Sequence, residues 1–233
     1  MGIKVSGLNQ RLGGRDVLKD VAFTAAPGRI TGFLGPNGAG KTTTLSSMLG
    51  LIPVSGAEIT FGGQPLASLP RGKGGVCALF EKKGQDGWRR GIGHLRMVAD
   101  AVGADSGEIN QAIEKVGLQG ASKRRIRTYS LGMRQRLGLA EMLIGSPNYV
   151  LLDEPMNGLD PEGIQWLRDL LIEVAERGAT VLVSSHMLNE AEQFVQDVVL
   201  LRDGAVAFRG DVDDLRSGQS LEQAYLRFAR EGK

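Results

Sequence analysis

One eight-residue segment of the chain has the residue types and spacing of a phosphate-binding loop. It fits the pattern Gly-x-x-x-x-Gly-Lys-Ser/Thr and consists of Gly35, Pro36, Asn37, Gly38, Ala39, Gly40, Lys41 and Thr42, with Thr43 directly after. Glycines let consecutive backbone N–H groups curl around phosphate oxygens, and the N-terminus of a following helix adds its dipole. Lys41 would supply a positive charge, and Thr42 would offer a hydroxyl to Mg²⁺. The alternative is a glycine-rich turn that only caps a helix.

A second candidate site is the acidic pair Asp153 and Glu154, which follows four apolar residues at 149–152. This order predicts that both acids lie at the carboxyl end of a strand, where parallel sheets bind ligands. Asp153 would hold Mg²⁺ through water, and Glu154 would orient or deprotonate a water that attacks a terminal phosphate. Alone, the pair could be a solvated strand end, and its combination with the loop at 35–42 favours a catalytic site.

The elements that must position these residues alternate between strand and helix. An antiparallel strand pair is predicted at 2–7 and 17–25, with Gly13-Gly14 between them. Further strands are predicted at 29–34, 57–61, 76–80, 149–152 and 180–183, and a hairpin at 198–201 and 205–208. Helical spacing covers 41–49, 91–117, 131–144, 161–177 and 221–228. We expect one α/β domain over 1–233, with a mostly parallel core sheet and a helical insertion at about 82–145.

The composition of the 233 residues excludes several classes of protein. With 42% apolar and 23% charged residues, the chain is expected to fold, and its net charge of +2 gives no general attraction to nucleic acid. The single cysteine, Cys77, lies in an apolar stretch, which predicts a buried thiol in a reducing compartment. No apolar run approaches the roughly 18 to 20 residues that span a bilayer, and residues 1–10 lack the apolar core of a signal peptide.

Four further segments make the chain resemble the ATP-binding subunits of ABC transporters. Residues 151–155, Leu-Leu-Asp-Glu-Pro, resemble the Walker B strand of that family, and residues 157–160, Asn-Gly-Leu-Asp, resemble its D-loop. Residues 129–136 resemble the signature Leu-Ser-Gly-Gly-Gln, and His186 falls where the family has its switch histidine. The resemblance covers nearly the whole chain. It implies a P-loop NTPase fold of ABC type with an N-terminal antiparallel β subdomain.

The resemblance also implies a division of roles among the residues. ATP and Mg²⁺ would be the cofactors, and His186 would hydrogen-bond the γ-phosphate. Ser130 and Gly132 of one copy would cover the ATP held by another, so a homodimer would sandwich two nucleotides. A separate polytopic transmembrane permease would hold the chain at the cytoplasmic side of the cell membrane and use its ATP hydrolysis for transport. From the residues alone, Ser130 is a helix cap, and a lone histidine is more often structural.

Two positions depart from the family pattern. Leu12 stands where the family usually has an aromatic residue that stacks on adenine, so stacking would be lost. Glu81 stands where a glutamine usually senses the γ-phosphate and Mg²⁺, and a carboxylate can approach Mg²⁺ but donates no hydrogen bond. Glu81 and the sequence Ser-Leu-Gly-Met-Arg-Gln at 130–135 resemble the antibiotic and bacteriocin exporters, which include bacitracin-resistance subunits. We therefore expect export of an antibiotic, a peptide or a lipid-like compound.

Basic residues cluster in the predicted insertion, at 82–83, 89–90, 123–125 and 127. They form either a solvated face or a surface that meets anionic headgroups or acidic groups of the membrane subunit. Two other functions also remain open. One is a non-transport ABC ATPase that acts on DNA or ribosomes, although such proteins usually carry long insertions or a second ATPase domain. The other is a nucleotide-dependent regulatory or assembly module with weak hydrolysis, which Leu12 and Glu81 would favour.

Overall fold

Two sheets and several helices make up residues 2–80, 85–216 and 218–231, the part of the chain that the computed structural model describes. The strands are β1 (Ile3–Leu12), β2 (Arg15–Ala25), β3 (Ile30–Leu34), β4 (Glu58–Phe61), β5 (Val76–Leu79), β6 (Tyr149–Asp153), β7 (Thr180–Ser185), β8 (Asp197–Arg202) and β9 (Ala205–Asp211). The helices are α1 (Lys41–Met48), α2 (Gly91–Val102), α3 (Ser106–Lys115), α4 (Leu131–Leu143), α5 (Pro161–Glu176), α6 (Leu188–Ala191), α7 (Val212–Arg216) and α8 (Leu221–Glu231).

The core sheet has the strand order β5-β6-β7-β3-β8-β9, and all its pairings are parallel except that of β8 with β9. Strands β3 and β7 are buried along their whole length, as expected for parallel strands covered on both faces. The smaller sheet, in the order β2-β1-β4, is antiparallel. The predicted α/β fold, with a mostly parallel core sheet and an N-terminal antiparallel sheet, is confirmed.

The predicted phosphate-binding loop at 35–42 is supported by the apolar core that lies between the two sheets. Leu45 and Met48 of α1 belong to this core, together with residues of the antiparallel sheet such as Phe23. The rings of Phe23 and Phe33 lie 5.2 Å apart between their centroids, which joins β2 to β3. A second core, on the other side of the core sheet, includes residues of α2, α3, α4 and α5. Helix α1 is therefore anchored between two sheets, directly after the loop.

The structure divides the predicted helical stretch at 91–117 into two helices. Gly103 adopts the left-handed conformation, with φ of 71°, and ends α2. Asp105 then caps α3 through a capping box with Glu108, so a new helix begins although the apolar spacing continues. The predicted start of α5 at Pro161, capped by Asp160, is confirmed. The short helices α6 and α7 were not predicted, because four or five residues carry too little periodicity.

Cys77 lies on β5 and packs against the second core, partly rather than fully buried. Burial, followed by the negative charge of Glu141, raises the pKa of its thiol to about 12. Within the described ranges, the structure contains no helix that is both long enough and apolar enough to cross a bilayer.

Candidate functional site

The loop at 35–40 connects the end of β3 to the start of α1, as the motif requires. Gly35, Gly38 and Gly40 have φ of 155°, 82° and 106°, which are positive values that L side chains rarely adopt. Gly40 is the N-cap residue of α1 and has no side chain to cap the helix. The N–H groups of the first turn are therefore left for an anion, beside the positive end of the helix dipole.

Gly35→Ala is expected to damage the loop more than Gly38→Ala. A Cβ at Gly35 would lie 2.3 Å from the backbone oxygen of Leu201, whereas a Cβ at Gly38 would meet nothing within 4 Å. Gly35→Ala should therefore lower the free energy of unfolding by about 3 kcal/mol and weaken nucleotide binding at least about tenfold. Gly38→Ala should cost about 1 to 2 kcal/mol of backbone strain. Urea unfolding measures the loss of stability, and nucleotide titration measures the loss of binding. Equal losses in Gly35→Ala and Gly38→Ala would contradict the expectation.

Lys41 is the first residue of α1, and its ammonium group is buried among oxygen atoms. Its Nζ donates hydrogen bonds to the backbone oxygens of Gly35, at 2.7 Å, and Pro36, at 3.2 Å. Nζ also lies 3.1 Å from Glu154 Oε1, and the two side chains are only 6% and 10% exposed. The loop cation and the predicted catalytic carboxylate thus form a close, nearly buried ion pair.

Asp153, at the end of β6, accepts hydrogen bonds from α1 and from the neighbouring strand β7. Thr42 Oγ1 donates to Asp153 Oδ2 at 2.8 Å, and Ser184 Oγ donates to Asp153 Oδ1 at 2.7 Å. Ser184 Oγ also accepts the backbone N–H of Glu154 at 3.0 Å, so one hydroxyl fixes both acids. The oxygens of Thr42 and Asp153 are the hard donors that Mg²⁺ prefers, and Mg²⁺ usually completes its shell with phosphate oxygens and water. The donor set at this point therefore fits Mg²⁺.

Sequence reasoning missed Ser184, although a signal was present. It belongs to the pair Ser184-Ser185 between an apolar run and His186. The register of β6 against β7 places Ser184 directly opposite Asp153. Only the strand pairing, which the sequence did not fix, makes this serine a contact of the acidic pair.

Glu154 is held in a strained backbone conformation, with φ of 50°. Its Oε2 lies 2.8 Å from His186 Nδ1 and accepts the backbone N–H of His186 at 3.3 Å. With the carboxylate ionised, Nδ1 carries the hydrogen of this bond, so Nε2 is the ring nitrogen free to contact a ligand. The structure therefore brings Lys41, Glu154 and His186 into one chain of contacts, with the His186 side chain 37% exposed.

Ser130 and Gly132 lie at the N-terminus of α4, beside the segment that resembles the D-loop. Ser130 is the N-cap residue, and its Oγ accepts the backbone N–H of Met133 at 3.2 Å. A Cβ at Gly132 would lie 3.4 Å from the backbone oxygen of Gly158. No hydrogen bond within the described part of the chain joins Ser130 to the phosphate-binding loop. Ser130 and the neighbouring Leu131, which is 66% exposed, face solvent.

Of the two positions that depart from the family pattern, the structure describes Leu12 but not Glu81. Leu12 ends β1 at the tip of a hairpin, paired with Arg15 across the turn of Gly13 and Gly14, and is 40% exposed. It therefore offers a solvent-facing apolar contact without an aromatic face. Glu81 lies outside the described residues, as do the basic residues at 82–83.

Basic residues that are distant in sequence meet around one exposed tryptophan. Trp88 is 66% exposed, and the guanidinium carbons of Arg127 and Arg125 lie 4.2 and 5.7 Å from the centroid of its ring. A backbone bridge between Arg90 and Arg125 brings the two basic segments together. We call the exposed residues Trp88, Arg89, Arg90, Arg124, Arg125 and Arg127 the Trp88 surface. Sequence reasoning identified the arginines but missed the tryptophan.

Comparisons with known proteins agree with this geometry. The family model described as "ABC transporter" matches residues 18–157. The lantibiotic transport ATP-binding protein SrtF of Streptococcus pyogenes is 32% identical over 223 residues, which cover 96% of this chain and 95% of SrtF. The bacitracin transport ATP-binding protein BcrA of Bacillus licheniformis is 36% identical over 229 residues, which cover 97% of this chain and 74% of BcrA.

A similar solved structure is titled "Structure of ATP binding subunit of ABC transporter". It has a TM-score of 0.89 and 28% sequence identity, and the match covers 99% of this chain and 100% of that one. A nucleotide-free ATP-binding cassette from an ABC transporter has a TM-score of 0.80 at 16% identity, over 96% of this chain and 98% of that one, and shows the fold alone.

Proposed function

The chain belongs to the ABC transporter family as an ATP-binding ATPase, and we propose that its hydrolysis of ATP drives export through a separate membrane subunit. The observation that carries the proposal is the meeting of Lys41, Thr42, Asp153 and Glu154 at one edge of the core sheet. Hydrolysis of a nucleoside triphosphate requires a cation that binds phosphate, a pair of oxygen atoms that can hold a metal ion, and a carboxylate base.

In this proposal, the residues at 35–43 bind the phosphates of ATP. The N–H groups of the loop and of the first turn of α1 surround the phosphate oxygens, Lys41 adds a positive charge, and Thr43 lies in the same helical turn. Thr42 and Asp153 would hold Mg²⁺, which neutralises charge on the phosphates when it is bound. Glu81 would approach the same ion as a carboxylate, and Leu12 would contact the base without stacking on it.

Glu154 would act as the base. Its carboxylate accepts a proton from the water that attacks the γ-phosphate. His186 orients this carboxylate, and Ser184 fixes the backbone of Glu154. Lys41 lies 3.1 Å from the same carboxylate, so it must exchange that contact for a phosphate oxygen when ATP binds. The exchange would leave Glu154 Oε1 to accept a hydrogen bond from the water. Nε2 of His186 would contact the γ-phosphate.

A second copy of the chain would complete each site. The exposed N-terminus of α4 carries Ser130 and Gly132, and the helix dipole favours an anion at this end. We propose that these residues cover the ATP held at the loop of the partner copy, so that two chains sandwich two nucleotides. Catalysis would then depend on closing the dimer, because each chain supplies only half of each site.

The class of the transported compound is proposed from the relatives. The names of SrtF and BcrA assign them to the transport of a lantibiotic and of bacitracin. We propose that this chain serves export of an antibiotic, a peptide or a lipid-like compound. It would work as one domain over 1–233, with a helical insertion at about 82–145, bound to a polytopic permease at the cytoplasmic side of the cell membrane.

The proposed function is tested by measuring ATP hydrolysis of the purified chain against protein concentration, with Mg²⁺ present. The rate per chain is expected to rise with concentration, because the active form is a dimer, and to fall when Mg²⁺ is chelated. A rate per chain that is independent of concentration would contradict the dimeric site. No hydrolysis at any concentration, even with the permease present, would favour a regulatory or assembly module instead, consistent with the missing aromatic residue at Leu12.

Charge reversal on the Trp88 surface is expected to weaken association with the permease more than ATP binding. The variant Arg89→Glu with Arg90→Glu places four units of charge change beside Trp88, at residues that contact neither the loop at 35–42 nor Glu154 through any described hydrogen bond. Copurification with the permease should fall at least about tenfold, and the Kd for ATP should change less than about twofold.

A matched control reverses two exposed charges elsewhere, Lys19→Glu with Arg71→Glu. This control should retain both copurification and ATP binding. Equal loss in the control and the Trp88-surface variant, or no loss in either, would reject the Trp88 surface as the docking site.

A further inference from the structure

A partly buried polar cluster joins the segment before α2 to helix α4. We call Gln85, His94 and Glu141 the Glu141 cluster. Gln85 Nε2 donates to Glu141 Oε1 at 3.2 Å and to the backbone oxygen of Arg134 at 3.3 Å. His94 Nε2, on α2, lies 2.8 Å from the same Oε1 of Glu141. One carboxylate oxygen on α4 is therefore held from two directions, by a loop and by a neighbouring helix.

Part of the cluster lowers the stability of the fold, because within the described residues it leaves buried polar atoms without hydrogen bonds. His94 is only 6% exposed. Among the described side chains, His94 Nδ1 and Gln85 Oε1 are buried atoms without a hydrogen-bond partner. Unpaired buried polar atoms destabilise a fold, and apolar side chains of similar volume would avoid that cost. Apolar contacts have no preferred direction, however, whereas these hydrogen bonds define one position of α4 against its neighbours.

Backbone hydrogen bonds extend the same connection toward the N-terminus of α4. The N–H of Arg127 donates to the oxygen of Gly87, and the N–H of Ile126 donates to the oxygen of Arg89, both at 2.9 Å. The N–H of Gly91 donates to the oxygen of Arg124 at 3.2 Å. The segment 85–91 is thus attached both to the body of α4 and to the residues that lead into it.

We propose that Gln85 and His94 are positioning residues for the ATP sandwich: by holding Glu141, they fix the orientation in which α4 presents Ser130 and Gly132 to the partner copy. The inference rests on the proposed function. Ser130 caps the N-terminal end of α4, and Glu141 lies near the C-terminal end of the same rigid helix, so a change in the tilt of α4 at Glu141 also moves Ser130. Neither Gln85 nor His94 contacts the phosphate-binding loop through a described hydrogen bond.

The test measures ATP-driven dimerisation in the Glu154→Gln background, in which ATP would bind without turnover. Gln85→Leu and His94→Leu remove the contacts with Glu141 while nearly preserving volume. Each is expected to weaken the dimerisation constant with MgATP at least about tenfold by analytical ultracentrifugation, while the Kd for ATP of the dilute monomer changes less than about twofold. If Gln85 and His94 contributed only to packing, the dimerisation constant and the Kd for ATP would change together.

Two further variants make the comparison specific. Glu141→Gln keeps an oxygen that accepts from Gln85 and His94, so dimerisation should be retained, whereas Glu141→Leu should lose it. Gln165→Leu removes an exposed glutamine that bonds Asp169 on its own helix, and it should change neither constant. If Gln85→Leu does not fold, Gln85→Asn, which shortens the side chain by one methylene, decides the same question.

The outcomes separate the inference from the function on which it rests. If the Glu154→Gln chain itself forms no dimer with MgATP, the proposed sandwich fails. If it dimerises and the Gln85 and His94 variants dimerise equally well, the function stands and the positioning role is overturned. Loss of dimerisation that only matches a loss of ATP affinity would also overturn it.

Discussion

Glu154→Gln is expected to lower the rate of ATP turnover at least about 100-fold, because an amide cannot accept the proton of the attacking water. ATP binding should be retained or strengthened, since the variant removes a negative charge that lies 3.1 Å from Lys41 Nζ. Phosphate release in a single turnover measures the chemical step, and equilibrium titration measures binding. The combination of bound ATP and blocked turnover should also make a stable dimer accumulate.

Glu162→Gln provides the matched control for this change. Glu162 is an exposed carboxylate in the first turn of α5 and shares neither Lys41 nor His186 as a partner in the described contacts. Its replacement should leave the turnover rate within about twofold of the original. Turnover that is unchanged in Glu154→Gln would reject Glu154 as the base.

Lys41→Met is expected to weaken ATP binding about 100- to 1000-fold, because it removes a buried cation from the proposed phosphate site. The same change should also lower the free energy of unfolding by about 3 kcal/mol, since it leaves the nearly buried Glu154 without its ammonium partner. Calorimetric titration with MgATP and urea unfolding without nucleotide measure the two effects separately.

A double variant distinguishes the two effects of Lys41. Adding Glu154→Gln to Lys41→Met should recover much of the lost stability, because the unpaired charge disappears, but should not recover ATP binding. Lys73→Met, which breaks an exposed pair with Glu108 on the surface, should leave ATP binding unchanged. If Lys41→Met binds ATP as the original chain does, the loop assignment is wrong. If the double variant is no more stable than Lys41→Met, the lost stability does not come from the unpaired carboxylate of Glu154.

The local parts of the candidate site could be predicted from the sequence because each has a short-range physical signal. The glycine spacing and the following helical pattern located the loop, and an apolar run followed by Asp153 and Glu154 located a strand end. Contacts between distant segments could not be predicted. The hydrogen bond of Ser184 to Asp153 depends on strand register, and the ion pair of Lys41 with Glu154 depends on strand order.

The fold shows the same division between local and distant information. Strand and helix periodicity predicted the alternating order of elements and the mostly parallel sheet. The apolar spacing across 91–117 hid a helix break, because Gly103 changes the backbone direction without interrupting the apolar pattern. The sequence did not predict that Trp88 belongs to a basic surface, because only the bridge between Arg90 and Arg125 brings two basic segments around it.

Cys77 makes the chain well suited to site-specific spectroscopic labelling without removal of its own thiol. With a pKa raised to about 12, its thiol is ionised in only about one molecule in 10⁵ at pH 7. A cysteine introduced on the surface, with an ordinary pKa near 8.5, is ionised to about 3% at the same pH. A maleimide dye or nitroxide should therefore react about 100-fold faster with the new site, after the greater nucleophilicity of the high-pKa thiolate is included. Distances across the proposed dimer can then be measured in a chain that keeps all its other residues unchanged.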